Sequence, residues 1–335
     1  MKRNQRNVVI VGCGPEAVKI AHYIKQNPKQ GYVLIGFVDN DIDTSINNIF
    51  QDAQKLCNLS EFPEYLEKSI IDEVFIGLDS KANNKQVNDI INLCKELGII
   101  CHVSSDWIDS NTQHTIINKF GNEKLLSISK SKQYNNIFSP YKYWFDILFS
   151  ILLLIVLLPL FIMISLIIKI TSKGPVFFVH KRIGYNKRIF NMIKFRTMVK
   201  EAEEMQERLE ELNEADGPAF KIANDPRITP IGKWLRKMSL DELPQLLNVL
   251  KGDMSLVGPR PLPLRDVYKI DERWQKRRFS VLPGLTCFWQ ISRRYDMPFD
   301  EWARLDLHYI DHWSLWLDLK IIIKTIPVVL KAKGQ

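Results

Sequence analysis

Two adjacent carboxylates, Asp241 and Glu242, open an apolar-periodic segment within KWLRKMSLDELPQLLNVLKGDMSLVGPRP, the stretch from Lys233 to Pro261. Arg236 precedes them by about one to two helical turns, and Arg260 follows in a Gly-Pro-Arg-Pro turn. Carboxylates flanked by cations suit chemistry on a phosphate. A helix start that also collects Arg236, Lys237 and Arg260 favours a phosphoryl group, and a carboxylate kept ionised by such neighbours can act as a nucleophile. A second reading needs no chemistry. Ser239-x-x-Glu242 fits a capping box, with Leu243, Leu246, Leu247 and Leu250 along one face. Asp241 in a first helical turn also suits the helix dipole.

The elements that must position this segment begin with one long hydrophobic run, Ile147 to Ile168. A bilayer is spanned by about 20 such residues. Pro159 lies inside the run, where it removes a backbone hydrogen bond and bends a helix. Lys130, Lys132 and Lys142 precede the run; Lys169, Lys173, Lys181, Arg182, Lys187 and Arg188 follow it. With both flanks positive, the positive-inside rule orients no single span. Two arrangements fit: a kinked span, and a helix broken at Pro159 that enters and leaves on one face. The second avoids exporting one of two domains that each read as cytosolic.

Ahead of the run, Asn7 to Val11 is a short β-branched strand followed by Gly12-Cys-Gly14-Pro-Glu-Ala17 and a helical pattern through Ile24. Tyr32 to Val38 reads as a second strand ending at Asp39. This has the outline of a dinucleotide fingerprint, with Gly12, Gly14 and Asp39 as candidate contacts. Pro15 removes one N–H from that turn, so the alternative is that the glycines only permit a tight turn and close helix packing. Further alternation (Val74 to Gly77, Val87 to Leu97, Ile99 to Val103) argues for a parallel α/β sheet. Lys119 to Asn136 is polar and reads as a linker with one short strand, Leu125 to Ile128.

The length of 335 residues makes two domains the prior. Hydrophobic content of 46% and charged content of 25% are globular values. A net charge of +8 suits an anionic membrane surface or a polyphosphate substrate. No recognition helix or aromatic-interleaved basic patch points to nucleic acid. The five cysteines are scattered without a CxxC pair, so reduced thiols are expected rather than zinc. No signal peptide is expected at the start.

Several ordered blocks resemble one family, the bacterial sugar transferases, or monotopic phosphoglycosyl transferases. They are Lys194-Phe195-Arg196-Thr197-Met198, Asp225-Pro226-Arg227-Ile228-Thr229, and Leu235-Arg236 running into Ser239-Leu240-Asp241-Glu242-Leu243-Pro244-Gln245. Asn248, Gly252-Asp253-Met254-Ser255, Val257-Gly258-Pro259-Arg260-Pro261 and Pro283-Gly284-Leu285-Thr286 follow. The resemblance covers roughly Tyr141 to the C-terminus. The N-terminal segment resembles the Rossmann-like module often fused ahead of this transferase type, where it looks regulatory or oligomeric.

The resemblance implies transfer of a sugar-1-phosphate from a UDP-sugar to polyprenyl (undecaprenyl) phosphate, with release of UMP. Asp241 is then the nucleophile and a Mg²⁺ ligand, Glu242 the acid–base partner, and Arg236 and Arg260 hold phosphoryl oxygens. It further implies a re-entrant helix at the cytoplasmic face of the bacterial inner membrane. Surface polysaccharide or glycoconjugate assembly would begin with this step, and a homo-oligomer is compatible with it. The expected plan is α/β: a Rossmann-like parallel sheet domain over 1–120, a linker over 121–142, a membrane helix over 143–170 and an α-rich (α+β) catalytic domain over 171–335.

Other residues keep two readings. Lys194 and Arg196 flank an aromatic, either as phosphate contacts or on a solvated strand face. His180 reads as structural. Lys200 to Leu212 reads as a charged solvated helix. Arg227 either positions substrate or braces the active-site helix. Arg273, Lys276, Arg277 and Arg278 either meet anionic head groups or form a solvated face. Trp302, Tyr309, Trp313 and Trp316 either lie at a bilayer interface or fill a core. Lys187, Cys287 and Arg293 stand where glycines are usual in the family. A membrane-anchored nucleotide-sensing scaffold with an inactive transferase domain is the competing class, disfavoured by the intact carboxylates and arginines.

Overall fold

The computed structural model describes residues 5–40, 54–78, 84–104, 115–120, 123–129, 139–202, 204–205, 209, 222, 225–292 and 297–330. Residues 121, 122 and 130–138 of the expected linker, Arg293, and much of the expected charged helix over 200–212 lie outside them. The chain divides into two compact units, Met1–Lys132 and Gln133–Gln335.

In the first unit, β1 (Arg6–Val11), β2 (Tyr32–Val38), β3 (Gln54–Cys57), β4 (Glu73–Ile76), β5 (Ile100–Ser104), β6 (Thr115–Phe120) and β7 (Glu123–Ile128) form one sheet. Its order is β3-β2-β1-β4-β5-β7-β6. The first five strands are parallel; β7 and β6 add antiparallel at the β5 edge. Helices α1 (Pro15–Gln26), α2 (Phe62–Lys68) and α3 (Asn84–Leu97) cover the faces. β1 is buried on both sides, so it reads as a continuous apolar run. Val8 and Ile10 pack with Ala17, Ile20 and Ile24 of α1; Val9 and Val11 pack with Phe62, Ile91 and Leu97 of α2 and α3. The Leu125–Ile128 run is thus part of a sheet strand rather than a linker element.

The glycine turn after β1 brings the chain close to β4. Gly12 has φ +103°, and a Cβ there would lie 2.9 Å from the Gly77 carbonyl carbon. Gly14 is the residue before α1, and Asp39 accepts a 2.7 Å hydrogen bond from the Asn40 N–H. Beneath Phe120, Glu73 accepts from Arg6 at 2.6 Å and lies 2.6 Å from His102 Nε2, whose Nδ1 is 2.8 Å from Ser127 Oγ. That chain of polar contacts crosses β1, β4, β5 and β7.

The second unit opens with α4 (Pro140–Thr171), N-capped by Ser139. It is 32 residues long, with an apolar window of mean hydropathy 3.3. The helix is continuous through Pro159, so the expected helix–break–helix becomes a single helix with an internal proline. Lys142, Asp146 and Ser150, spaced by four, form a buried stripe near its start; Ile164 and Ile168 are buried near its end. Leu152, Ile155, Val156, Leu158 and Ile162 are exposed.

Next come the antiparallel hairpin β8 (Phe177–Ile183) and β9 (Ile189–Phe195), then α5 (Pro230–Lys237) and α6 (Gln245–Lys251). β10 (Ser255–Val257) pairs in parallel with β11 (Gly284–Thr286), and between them lie the short helices α7 (Leu264–Val267) and α8 (Arg273–Lys276). Helices α9 (Phe299–Asp311) and α10 (Leu315–Leu330) follow. In the hairpin turn Lys187 has φ +63°, which explains why glycine is usual there.

A buried ionic knot joins both ends of this unit. Lys142 Nζ lies 3.1 Å from Asp146 and 2.7 Å from Asp318. Asp146 accepts from Leu256 N, while Asp318 accepts from Tyr309 Oη at 2.8 Å and Trp313 Nε1 at 3.2 Å. Tyr309 and Trp313 are therefore core, whereas Trp316 is 72% exposed and Trp302 stacks on Trp289. The basic cluster is corrected in the same way. Arg277 pairs with Asp311 and Arg278 with Asp306, and both guanidinium groups are 1% exposed, so these two are neither head-group contacts nor a solvated face. Burial pushes the Asp306 carboxyl up to about 6, against the pull of Arg278.

Removing one partner from a buried ionic group costs about 3–5 kcal/mol. Asp318→Ala is expected to lower stability by about that amount, read as a thermal shift of detergent-held protein; a shift like that of an exposed-site control would show the knot to be dispensable.

Candidate active site

The site is built where β9, the α5–α6 connection and the turn after β10 meet. Helix α5 begins with Pro230 at its first position, where no N–H is needed, and the Thr229 hydroxyl accepts from Gly232 N at 3.0 Å. Thr229 also ties back to Thr197 O by its N–H at 2.9 Å. A Cβ on Gly232 would lie within 2.0 Å of that carbonyl oxygen, so the helix can dock against the end of β9 only with glycine here.

The expected capping box does not form. Ser239 has φ +54°, a left-handed conformation, and its side chain caps nothing. Leu240–Glu242 is a single 3₁₀ turn, and α6 starts only after Pro244. The local pattern gives way because Glu242 has stronger partners than a backbone N–H. Lys194 Nζ donates to its Oε1 at 2.8 Å; Arg260 donates to Oε1 at 2.5 Å and to Oε2 at 3.2 Å. Such a fork is among the strongest hydrogen-bond arrangements available. The left-handed serine is the local strain that keeps both carboxylates on so short a turn.

Supporting contacts fix each participant. Asn248, fully buried, accepts from Ile193 N at 2.9 Å and donates to Asn191 O at 2.7 Å, tying α6 to β9 and so Glu242 to Lys194. Arg278 donates to the Arg260 carbonyl at 3.0 Å. Arg236 Nε donates to Thr197 Oγ1 at 3.0 Å; burial lowers its pKa, and Asp241 and Asp225 oppose that shift. Arg227 is a brace: it grips Asp225 through Nε at 2.8 Å and Nη2 at 2.6 Å.

The two carboxylates are electrostatically distinct. Burial alone would raise Glu242, but Arg260 and Lys194 hold it far below the usual carboxylate range. Burial raises Asp241 above its ordinary 3.8, and the cations around it do not fully compensate. Among the described residues, no side chain donates a hydrogen bond to Asp241. It is therefore the more basic, uncommitted oxygen pair, while Glu242 is a committed anion. Glu242 organises Lys194 and Arg260 through three hydrogen bonds.

Of the sequence candidates, Asp241, Glu242, Lys194, Arg236 and Arg260 come together. Arg196 does not join them. β9 ends at Phe195, the pleat is lost, and the Arg196 guanidinium caps the end of α4 through Ser172 O at 2.9 Å and Ser172 Oγ at 2.6 Å. Thr197 and Asn248 carry positioning contacts that sequence alone did not assign. Asn248, a polar residue inside an apolar helical period, was the available signal. Cys287 is buried and 3.2 Å from Gln290 Oε1.

The linkage sign for Glu242 is that of a depressed acid: its stabilisation is present above the ordinary 4.5 and is lost as pH falls through the folded value. Glu242→Gln is expected to be less stable than wild type by about 1–3 kcal/mol near neutrality, because two partly buried cations lose their charged partner. That gap is expected to narrow on acidification below pH 4.5. Thermal unfolding at a series of pH values checks this, and a pH-independent gap would contradict it.

Comparison with known proteins bears on the same residues. A family model described as bacterial sugar transferase matches residues 137–332, and one described as CoA-binding domain matches residues 1–103. The chain is 37% identical over 308 residues to the galactosyl transferase CpsE of Streptococcus agalactiae, covering 90% of this chain and 67% of that protein. It is 43% identical over 346 residues to the undecaprenyl-phosphate galactose phosphotransferase of Salmonella typhimurium, covering 98% and 69%. It is 41% identical over 195 residues to the exopolysaccharide production protein ExoY of Sinorhizobium fredii, covering 57% and 86%. With its carboxylate pair, cation cluster and supporting strand all inside the matched region, the chain belongs to the bacterial sugar transferase family.

Proposed function

We propose that this protein transfers a sugar-1-phosphate from a UDP-sugar to undecaprenyl phosphate, releasing UMP, through a covalent intermediate on Asp241. The observation that carries the reading is the division of labour between the carboxylates. Asp241 has raised basicity and no hydrogen-bond donor among the described residues, while Glu242 is bound on both oxygens. Relatives named undecaprenyl-phosphate galactose phosphotransferase, from Salmonella typhimurium, and UDP-glucose:undecaprenyl-phosphate glucose-1-phosphate transferase, from Xanthomonas campestris, support the choice of donor and acceptor. The product would begin assembly of a polysaccharide, a reading supported by the relative named exopolysaccharide production protein ExoY.

In the first step an Asp241 oxygen attacks the β-phosphorus, the bond to the bridging oxygen breaks, and UMP leaves with that electron pair. In the second step an oxygen of the lipid phosphate attacks the same phosphorus and the Asp241–phosphorus bond breaks. Splitting the transfer lets a water-soluble donor and a lipid acceptor use one site in turn. Arg236 and Arg260 steady equatorial oxygens as charge spreads over them. Lys194 holds Glu242 and adds positive charge beside the reacting phosphate.

Among the described residues, no group of three or more His, Cys, Asp or Glu could hold a metal. Asp241 fits a Mg²⁺ that arrives with the diphosphate, since that ion often takes one carboxylate plus substrate phosphates. Mg²⁺ there would be held by Asp241 and phosphate oxygens and would screen the carboxylate from the diphosphate.

The helix α4 supports a monotopic placement at the cytoplasmic face. Its start packs on β10 and α10 through Asp146 and Lys142, and its end packs on Phe195 and Leu235 through Ile164 and Ile168. Both ends therefore pack on one compact unit, which a span with its ends on opposite sides of the hydrocarbon would place on both sides of the membrane. The exposed Leu152–Ile162 stretch then faces lipid and keeps the site near the head groups, which supplies proximity to the acceptor.

Asp241→Asn is expected to abolish UMP release in nanodiscs while the protein keeps its melting temperature. Wild type incubated with donor alone is expected to gain the mass of a phosphosugar on the peptide containing Asp241. Substantial turnover in the variant would remove Asp241 as nucleophile. Reporter tags at the two termini are expected to fall on the same side of the membrane, and opposite sides would refute the monotopic placement.

A further inference from the structure

The hairpin of β8 and β9 carries positive charge that the catalytic cluster does not use. Strand alternation puts Phe178, His180 and Arg182 on one face of β8, and Phe178 pairs across the hairpin with Lys194. Lys194 and Arg260 are committed to Glu242, and Arg265 Nε donates to Asp266 at 3.0 Å. Arg182 has no such partner among the described residues. Its one hydrogen bond runs from Nη1 to the Pro261 carbonyl at 3.3 Å, and its Nε is buried with nothing to donate to. His180 Nδ1 is likewise buried and unpaired. A buried donor left unmade carries a desolvation penalty, so both groups are poised for an anion.

We propose that Arg182 and His180 form a phosphate subsite beside the Glu242–Arg260 pair that holds first the donor's α-phosphate and then the acceptor's phosphate. This rests on the transfer reaction proposed above. In an in-line displacement the leaving UMP departs on the side of phosphorus away from Asp241. In the second step the lipid phosphate must enter from that same side to expel Asp241. The two phosphates therefore occupy one place in turn, and a single anion subsite serves both. Arg182, flanked by Pro261 in the turn that carries Arg260, is on the hairpin face that adjoins the cluster. A guanidinium fork suits a phosphate group better than a lone ammonium. The electrostatics agree: burial, then the neighbouring cations Arg182, Lys194 and Arg265, hold His180 down at about 4, so it is a neutral hydrogen-bonding partner near neutrality.

The test uses the full chain in nanodiscs, with titration calorimetry against UMP and inorganic phosphate. Arg182→Gln is expected to weaken both by about tenfold or more. Lys181→Gln makes the same charge change on the exposed face of the same strand and is expected to bind as wild type does. Two kinetic arms separate the phosphates. Exchange of labelled UMP into the UDP-sugar without lipid reads the donor, and full transfer with varied undecaprenyl phosphate reads the acceptor. The KM is expected to rise in both arms for Arg182→Gln and to recover in part with Arg182→Lys. A rise in one arm only, or an equal loss in Lys181→Gln, overturns the shared subsite. Equal loss in Arg182→Lys and Arg182→Gln with a lowered melting temperature in both also overturns it, leaving Arg182 a structural clamp on Pro261. If wild type releases no UMP from any donor, the transfer reading fails, while the binding comparison still decides the anion subsite.

Discussion

The second unit depends on one partly buried carboxylate that answers two cations from distant parts of the chain. Glu242 on its 3₁₀ turn, Lys194 on β9 and Arg260 after β10 are held together by contacts of 2.5–3.2 Å. Any one of these charges buried alone would be costly, so each needs the other two. Their mutual satisfaction has a further effect. It leaves Asp241, the residue before Glu242, desolvated beside cations that are already engaged. One residue becomes the keystone and its neighbour the proposed nucleophile.

Much of the surrounding structure serves that pairing at one remove. Asn248 locks α6 to β9, Gly232 lets α5 approach the end of that strand, and Thr197 orients Arg236. The Asp306–Arg278 pair reaches the carbonyl of Arg260 from behind. Positioning by interior hydrogen bonds holds the cluster within the tolerance that catalysis on a bound phosphate would demand. Ser239 is left-handed, as are Asn186 and Lys187 in the hairpin turn, and it lies two residues before the proposed nucleophile.

The long apolar helix is tied to the same unit at both ends, polar at the start and apolar at the end. The Lys142–Asp146–Asp318 knot joins the helix start to the last helix of the chain. Ile164 and Ile168 join its end to the strand that carries Lys194. The long apolar helix and the carboxylate–cation cluster are therefore mechanically linked through β9.

By itself, the sequence determined the architecture that hydrophobic periodicity can encode: the parallel α/β module ahead of one long apolar helix, and a separate mixed unit behind it. It also singled out Asp241, Glu242, Lys194, Arg236 and Arg260, because charged residues gathered around apolar periodic segments need an explanation. Periodicity does not say which partner a charge will choose, and there the tertiary structure decided. Glu242 matched a capping box and instead pairs with Lys194 and Arg260, since a guanidinium fork outweighs one backbone N–H. Arg196 stood two residues from Lys194 yet turned to Ser172, because the strand ends between them. Arg277 and Arg278 read as a surface charge run and are buried against Asp311 and Asp306, residues roughly a full helix away in sequence. In each case the deciding partner is distant along the chain, and only folding brings it within hydrogen-bonding reach.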